Sequence, residues 1–416
     1  MTPLSQRRRL PGRSKGRLGP VWGEGITRRL ARPAGTRILS TMQARGLLAA
    51  GFLFLTLGGA VQAGVPARLE GPVQVLKAVG PEGKGNAEAS AAWKQVASAP
   101  LPVLPGLLEA MDGANDYALN WLRSAVESVE ERGRKSGGKI PVAAVEEFLR
   151  DTRHHPRARR LAYEILQRAE PERARRLLPG FVKDPANELR RDAVQLLVVA
   201  AGEKVTGDRA AAVAGYREAL GHAREADQID DLAKKLGELK EKVDLQKVFG
   251  WVTRWKMVGP FDNTGGAGFS KAFPPEEKLD FAAELDGKSG KVRWVDFESK
   301  DDYGLIDFNK PFSDLKEVTG YAMAEFWSDT ARPVQLRLGC KNGWKVWVNG
   351  KLLFGRDEYH RNMEIDQYRL ATELKPGRNV LLVKCCQNEQ KEDWTKEWEF
   401  QLRLTDEQGT PIVSTK

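Results

Sequence analysis

The spacing of apolar residues divides the chain into a helical part and a β part. Along 91–250 apolar side chains recur every three or four positions, as in 119–126, which is the spacing of one face of an α-helix. Along 251–416 the period falls to two in short runs such as 321–327, which is typical of half-buried strands. Residues 64–90 mix Gly, Pro and polar side chains and are predicted to be a linker. The pattern therefore predicts a multidomain α + β chain, with a helical region followed by an all-β sandwich.

The helical region contains an internal repeat. Arg159–Leu166 and Arg190–Leu197 align at an offset of 31 residues, each with an Arg pair, a small Ala and an apolar face. This pattern resembles HEAT or armadillo-type repeats, whose usual period is about 40–47 residues. Residues 207–223 resemble half of a tetratricopeptide unit, and an amphipathic helix is expected at 226–243. We expect both Arg pairs to lie on solvated helix faces, where amphipathic helices usually carry charge.

Two motifs specify the fold of the β region. Trp344–Val348 is followed by Asn349-Gly350, a pair that adopts the positive φ angles of a two-residue hairpin turn. Further on, 374–379 reads Leu-Lys-Pro-Gly-Arg-Asn and precedes an apolar strand. This order, over about 334–404, resembles the galactose-binding-like jelly roll, in particular the sugar-binding domain of family 2 glycoside hydrolases. The catalytic carboxylates of that family have no matching positions, and no room is left for its barrel of about 250 residues. The resemblance therefore implies a binding or structural module.

The N-terminal stretch predicts a leader. An eleven-residue apolar run at 47–57 follows Arg45 and precedes small residues that end at Ala63, as in a secretory signal peptide. A membrane span needs about 20 apolar residues, so an uncleaved anchor is the weaker alternative. We assign 42–63 as the signal peptide and 1–41 as a disordered basic extension from a mis-assigned start. A transit peptide or a twin-arginine signal are the alternatives for this extension. The mature chain is then expected to be secreted or periplasmic, with no stable transmembrane segment.

The net charge belongs to this leader. The chain has 66 Lys and Arg against 56 Asp and Glu, a formal charge of +10. Eleven of the bases but one acid lie before residue 64, so residues 64–416 carry 55 of each sign. A mature chain with balanced charge is not expected to bind nucleic acid, which attracts strongly basic surfaces.

The densest polar and aromatic cluster between predicted strands is the loop 355–360. A sugar presents an apolar C–H face and fixed hydroxyl groups, so Tyr359 would stack on the ring. Asp357, Glu358 and His360 would then form hydrogen bonds with the hydroxyl groups. The alternative is a solvated loop with one buried Tyr, since ligand pockets are few per protein.

Two further sites are weaker candidates. Asp262 and Asn263 offer oxygen ligands for a structural calcium ion, although a plain Asx turn is the commoner arrangement. Cys340 is a candidate for a disulfide with Cys385 or Cys386 across neighbouring strands, if the chain reaches an oxidising compartment. Buried reduced thiols are the alternative, because free Cys behaves as a small hydrophobic residue.

The sequence contains no catalytic motif of the common hydrolase, metalloprotease or phosphate-binding kinds. We therefore do not expect an enzyme, and we expect no cofactor other than structural calcium. The sequence favours a secreted binding protein whose jelly roll recognises carbohydrate and whose helical arm contacts a protein. The alternative is a scaffold of the cell envelope that binds no small ligand, and a hydrolase is less favoured than either.

Overall fold

The computed structural model describes residues 64–416, which belong to one compact unit of the chain. The predicted extension at 1–41 and signal peptide at 42–63 lie outside the described residues. A helical part is followed by antiparallel β-sheets, so the predicted α + β class is confirmed. No helix in the described range is long and apolar enough to cross a bilayer.

The helical part consists of α1–α11, and short helices α12–α14 lie within the β part. Three of the helices, at 116–135, 209–222 and 245–249, begin where the side chains of Asn115, Asp208 and Asp244 accept hydrogen bonds from the first helical turn. Their bounds are α1 (Ala67–Lys77), α2 (Asn86–Ala97), α3 (Leu104–Glu109), α4 (Asp116–Lys135), α5 (Val142–Arg150), α6 (Pro156–Ala169), α7 (Pro171–Leu177), α8 (Asn187–Gly202), α9 (Arg209–His222), α10 (Ala226–Glu238), α11 (Leu245–Phe249), α12 (Ala267–Ser270), α13 (Pro274–Glu277) and α14 (Asn309–Phe312).

Helix α1 and the start of α2 together occupy most of the predicted linker at 64–90. Leu69, Val73 and Leu76 are buried in the same hydrophobic cluster as Leu108. These three residues follow each other at steps of four and three, so they form one apolar face of a helix. The Gly and Pro residues of the segment hid this face, because α1 tolerates Pro72 within it. The linker prediction is corrected accordingly.

The repeated segments lie on α6 and α8, and the first Arg of each pair is buried. Arg159 is 1% exposed, and its guanidinium donates to both carboxylate oxygens of Asp184, at 2.6 and 2.7 Å. Arg190 is 7% exposed, and its Nε donates to the Asp184 carbonyl oxygen at 2.8 Å. The expectation of solvated Arg pairs is therefore wrong at these positions, because a single Asp binds both residues inside the helical part.

The second Arg of each pair lies nearer to solvent and links α6, α8 and α10. Arg160 forms an ion pair with Asp192 of α8, and Arg191 forms one with Asp227 of α10 at 2.6 Å. Equivalent positions of the two segments thus pair with the second helix further along the chain, α8 for α6 and α10 for α8. The assignment to HEAT or tetratricopeptide families stays a prediction.

The β part contains strands β1–β13, which form two larger sheets and a small hairpin. Their bounds are β1 (Arg254–Asp262), β2 (Leu285–Gly287), β3 (Gly290–Val292), β4 (Val295–Glu298), β5 (Ile306–Asp307), β6 (Val318–Ser328), β7 (Arg332–Cys340), β8 (Gly343–Val348), β9 (Lys351–Arg356), β10 (Tyr368–Leu374), β11 (Gly377–Gln387), β12 (Glu399–Thr405) and β13 (Pro411–Ile412).

The two larger sheets pack as an antiparallel sandwich. One sheet has the strand order β4-β1-β6-β11-β8-β9, and the other has the order β10-β7-β12-β13 with β5 paired to β12. Inward residues of both sheets, including Leu336 and Leu338 of β7 and Leu381 and Val383 of β11, share one buried cluster. Alternate residues of each strand supply this core, which explains the period of two in the sequence.

The two sequence motifs of the β part contact each other. Asn349 and Gly350 have φ angles of 53° and 80° and connect β8 to β9, so the predicted hairpin is confirmed. The side-chain amide of Asn349 donates to Oδ1 of Asn379 at 2.9 Å, and its own Oδ1 accepts from the Val380 backbone at 3.0 Å. The second motif therefore holds the hairpin turn against the start of β11.

The junction between the helical and β parts is apolar with several buried polar links. Phe249 and Trp251 pack in one cluster with Leu232 and Leu236 of α10. Arg403 of β12 donates to the Phe249 carbonyl oxygen at 3.1 Å. Because hydrophobic and polar contacts both cross the junction, the two parts bury a shared core.

Candidate functional site

A groove of about 750 Å³ lies at one end of the sandwich, and we call it the aromatic groove. Four segments line it: 250–256 at the start of β1, 296–298 of β4, 323–327 at the end of β6, and the C-terminal residues 413, 414 and 416. Strands β4, β1 and β6 are adjacent in the sheet, so side chains far apart in sequence meet here. This volume falls in the range of small-molecule pockets.

The groove combines a buried aromatic floor with one accessible aromatic side chain. Trp251, Trp255 and Phe326 are buried and belong to the helical junction or the sandwich core. Trp327, the next residue along β6, is half-buried. Successive strand residues face opposite sides of a sheet, which explains why Phe326 packs inside while Trp327 offers its ring to the groove.

Charged side chains of both signs line the groove. Arg254 and Glu298 approach to 4.0 Å, at the limit of an ion pair, and both are well exposed. Lys256 of β1 forms an ion pair with Asp296 of β4 at 2.6 Å. Glu325 of β6 accepts a hydrogen bond from Arg378 of β11 at 2.8 Å. The groove therefore presents carboxylate acceptors and cationic donors while its charge stays balanced.

The C-terminal segment forms one wall of the groove. The Trp327 backbone N–H donates to Oγ of Ser414 at 2.9 Å, and the Thr415 N–H donates to the Trp327 carbonyl at 3.1 Å. The ammonium group of Lys416 lies 3.6 Å from the centre of the Trp327 ring, a cation–π contact. One face of the accessible ring is thus covered by a single flexible side chain.

The predicted sugar loop 355–360 lines neither this groove nor the second cavity described below. Tyr359 is half-buried, and its hydroxyl accepts a hydrogen bond from Asn263 at 3.2 Å. Burial raises the pKa of this Tyr, so the hydroxyl stays protonated. The ring is therefore directed at the neighbouring chain segment.

The other residues of this loop also have partners within the chain. His360 forms a hydrogen bond with Oδ1 of Asn388 at 2.8 Å, and Glu358 forms an ion pair with Arg361 at 3.1 Å. Asp357 is exposed. Most of the side chains of this loop therefore form contacts within the chain. Their role in sugar binding stays a prediction.

Asp262 and Asn263 are arranged as a turn with an adjacent lysine. The Asp262 carboxylate accepts from the Thr264 hydroxyl at 2.7 Å and lies 3.1 Å from the Lys288 ammonium. Both contacts lower the pKa of Asp262, and the hydrogen bond from Thr264 has the larger effect. Asn263 is buried and donates to Tyr359 and to the Gln387 carbonyl. This arrangement favours the Asx-turn alternative, because Lys288 neutralises the carboxylate that a calcium ion would need.

The cysteine pair lies between the sheets. Cys340 is on β7 and Cys385 is on β11, in opposite sheets of the sandwich, which corrects the expectation of neighbouring strands. Their Sγ atoms are 3.8 Å apart and both thiols are free. Burial raises the pKa of Cys385, and it raises that of Cys386 to about 12. These thiols are therefore poor nucleophiles.

Sequence reasoning missed the residues of the aromatic groove. Trp327 was part of a predicted strand, but its partners Arg254 and Glu298 lie on other strands, and Lys416 lies at the end of the chain. Strand pairing, which single-sequence patterns do not reveal, brings these positions together. The sequence offered one signal for this groove. Trp327 ends the alternating run 321–327, and an aromatic ring at the end of a strand can lie outside the core.

No family model and no curated protein matches the chain. Among solved structures, an anti-sigma factor domain-containing protein from Clostridium clariflavum is similar at 11% identity and a TM-score of 0.24, over 39% of this chain and 45% of that one. The PA14 domain of the MpAFP antifreeze protein is similar at 10% identity and a TM-score of 0.20, over 39% of this chain and 68% of that one. A GH31 α-xylosidase from Xanthomonas citri is similar at 10% identity and a TM-score of 0.19, over 36% of this chain and 16% of that one. The chain thus spans less than half the length of the first of these proteins.

Proposed function

We propose that this protein is a non-catalytic binding protein whose β-sandwich recognises carbohydrate in the aromatic groove. The observation that carries the proposal is the half-buried ring of Trp327, set in a groove of about 750 Å³ between exposed carboxylates and cations. Sugars have an apolar face that packs on aromatic rings and hydroxyl groups that need both donors and acceptors. The groove offers both kinds of contact.

Each lining residue has a stated role in this proposal. The saccharide ring stacks on Trp327 after the Lys416 side chain moves away. The Nε atom of Arg254 and a carboxylate oxygen of Glu298 are 4.0 Å apart, and both side chains are exposed. Such an ion pair contributes little stability, so both side chains can form hydrogen bonds with hydroxyl groups instead. Glu325 accepts a further hydroxyl while Arg378 fixes its position at 2.8 Å. Balanced charge suits a neutral saccharide.

The helical part contributes protein contacts in the same proposal. Leu196 and Val199 lie on α8 and are 36% and 52% exposed, next to each other on the helix surface. The signal-peptide pattern at 42–63 supports export, so both ligand and partner would lie outside the cytoplasm. A scaffold of the envelope with no small ligand is the second candidate, and the same exposed apolar pair supports it.

A glycan array followed by calorimetry tests the proposal. We expect wild-type protein to bind at least one neutral glycan and Trp327→Ala to lose about two- to twelvefold in affinity, since ring stacking contributes about 0.5–1.5 kcal/mol. Tyr117→Ala is the matched control, because Tyr117 is an aromatic residue 49% exposed on the helical part. It should bind as the wild type does.

Two outcomes would overturn parts of the proposal. If the folded wild-type protein binds no glycan, carbohydrate recognition is rejected, and a stable partner found by crosslinking at Val199 would establish the scaffold instead. If Tyr359→Ala and Glu358→Ala abolish glycan binding while Trp327→Ala does not, the site is the loop 355–360 and the groove assignment is wrong.

A further inference from the structure

A second cavity, of about 590 Å³, lies where the helical part meets the turn between β12 and β13, and we call it the cationic pocket. It is independent of the aromatic groove and shares no lining residue with it. The side chains that matter are Lys183, Arg190, His222, Arg224, Asp406 and Thr410. Three of these carry a permanent positive charge, and one carries a negative charge.

Arg190 is the buried element of this pocket. It is 7% exposed, and its Nη1 is buried with no hydrogen-bond partner within residues 64–416. Its Nε donates to the carbonyl oxygen of Asp184. Both carboxylate oxygens of Asp184 accept hydrogen bonds from Arg159, and neither accepts one from Arg190. A buried N–H donor without an acceptor is unfavourable, because it has lost its hydrogen bonds to water.

Arg224 has only neutral partners as well. Its Nε donates to the Thr410 hydroxyl at 3.2 Å, and its Nη1 donates to the carbonyl oxygens of Gly221 and Ala223 at 3.0 and 2.7 Å. In the described part of the chain neither Arg190 nor Arg224 lies within 4.0 Å of a carboxylate oxygen. Two guanidinium groups thus share a half-buried site without close counter-charges.

Electrostatics agree with this geometry. Burial lowers the pKa of both Arg190 and Arg224, and the charge of Arg224 lowers that of Arg190 further. The charge of Asp406 opposes both shifts, and those of Asp184 and Glu225 oppose the shift of Arg190. One Asp406 carboxylate oxygen also accepts from the Thr410 backbone at 2.7 Å. Burial, and after it the charge of Lys183, also lowers the pKa of His222. The pocket keeps an excess of positive charge.

We propose that the cationic pocket binds an oxyanion of the phosphate or sulfate class. A tetrahedral oxyanion accepts paired hydrogen bonds from planar guanidinium groups, and it would satisfy Nη1 of Arg190 while it pairs with Arg224. Lys183, exposed at the rim, adds a third cation. The cavity has room for a phosphate or sulfate that is either free or esterified to a larger molecule.

Anion binding should stabilise the junction between the two parts. Arg190 lies on α8, Arg224 lies between α9 and α10, and Asp406 and Thr410 belong to the turn of the β part. A ligand that binds only the folded arrangement raises the unfolding temperature by mass action. Phosphate or sulfate should therefore raise it more than chloride does at the same ionic strength.

Thermal unfolding and calorimetry with sodium phosphate and sodium sulfate, with sodium chloride as reference, test the proposal. We expect a saturable shift for at least one oxyanion and a loss of about tenfold or more in affinity for Arg190→Gln and Arg224→Gln, because charge-assisted hydrogen bonds contribute about 1.5–3 kcal/mol. Lys204→Gln is the control, as Lys204 is exposed on the helical part outside the pocket. Its affinity should match the wild type.

Esterified probes distinguish the two sources of the anion. Tighter binding of glucose 6-phosphate or glucose 6-sulfate than of the inorganic ion would support a pocket for an ester, and equal binding would support the free ion. The proposal is overturned if neither inorganic oxyanion binds at millimolar concentration. It is also overturned if Arg224→Gln binds the oxyanion as tightly as the wild type does. This variant is expected to fold, because it removes only contacts to neutral groups and keeps the hydrogen bond from Arg190 to the Asp184 carbonyl oxygen.

Discussion

Two regions beside the helical–β junction use buried arginine in opposite ways. In the first, Arg337 and Arg403 both donate to the carboxylate of Asp366, at 2.6 and 2.7 Å, and all three side chains are at most 6% exposed. In the second, the cationic pocket, Arg190 and Arg224 have only neutral oxygen partners. A closed ion cluster holds a structure together, whereas guanidinium groups without carboxylates are available to a ligand. We therefore assign a structural role to the Asp366 cluster and a binding role to the cationic pocket.

The largest effect is expected for Asp366→Asn. The change leaves two buried guanidinium groups without a counter-charge, which should lower the free energy of unfolding by about 3–5 kcal/mol. Asn suits the positive φ of 61° at this position, so backbone strain does not complicate the result. Urea unfolding measures the change. A loss below 1 kcal/mol would show that the cluster does not support the junction.

The same variant changes the pH dependence of stability. Burial alone would raise the pKa of Asp366, but the hydrogen bonds and charge of Arg403 and the charge of Arg337 hold it below its usual range. A carboxyl group whose pKa is lower in the folded state stabilises the protein at pH values above its unfolded-state pKa of about 4. This stabilisation is lost as the pH falls through the folded-state pKa. Asp366→Asn should therefore remove part of the loss of stability in acid.

Asp184→Asn should have the next largest effect. Asp184 is 6% exposed and holds Arg159 through two hydrogen bonds, so its loss leaves one buried cation unpaired, at about 3 kcal/mol. Asp231→Asn is the matched control, because Asp231 pairs with Lys235 on an exposed helix surface at 3.2 Å. The control should change the free energy of unfolding by less than about 0.5 kcal/mol. Equal effects would contradict the assigned difference in burial.

Arg224→Met tests whether Arg224 supports the fold or serves to bind an anion. Replacement of this half-buried cation should lower the free energy of unfolding by at most about 1–2 kcal/mol in anion-free buffer, because the lost hydrogen bonds to neutral oxygens are offset by relief of desolvation. The stabilisation by phosphate or sulfate should disappear at the same time. Urea unfolding with and without the anion measures both. A loss of several kcal/mol without the anion would mean that Arg224 supports the fold as Arg403 does.

The smallest effect is expected in the aromatic groove. Lys416→Ala removes the ammonium group that covers Trp327, so a glycan no longer competes with a cation–π contact of about 0.5–1 kcal/mol. Its affinity should rise about two- to fivefold. Calorimetry with an array-derived glycan measures the gain. An equal or weaker affinity would show that Lys416 does not lie over the sugar site.

Local sequence signals predicted the fold well where contacts are local. The Asn349-Gly350 turn and the change of period near residue 251 depend on neighbouring residues, and both are present in the structure. Helix α1 was missed because Gly71 and Pro72 interrupt its apolar pattern, although tertiary packing of Leu69 and Val73 overrides that preference.

The sites could not be predicted in the same way. The partner of Arg159 lies 25 residues away, and Arg224 meets Thr410 across 186 positions. Sequence periodicity describes which face of an element is apolar, but it does not pair one element with another. For the same reason the loop 355–360 looked available in the sequence, whereas Tyr359 bonds to Asn263 from a distant turn.

A crystal structure of the protein with a glycan selected on the array would show directly whether carbohydrate binds in the aromatic groove. We predict that one saccharide ring packs on Trp327, that Lys416 moves off the indole ring, and that Glu298 or Arg254 bonds to a hydroxyl group. A glycan bound against Tyr359, with the aromatic groove unchanged, would contradict the account.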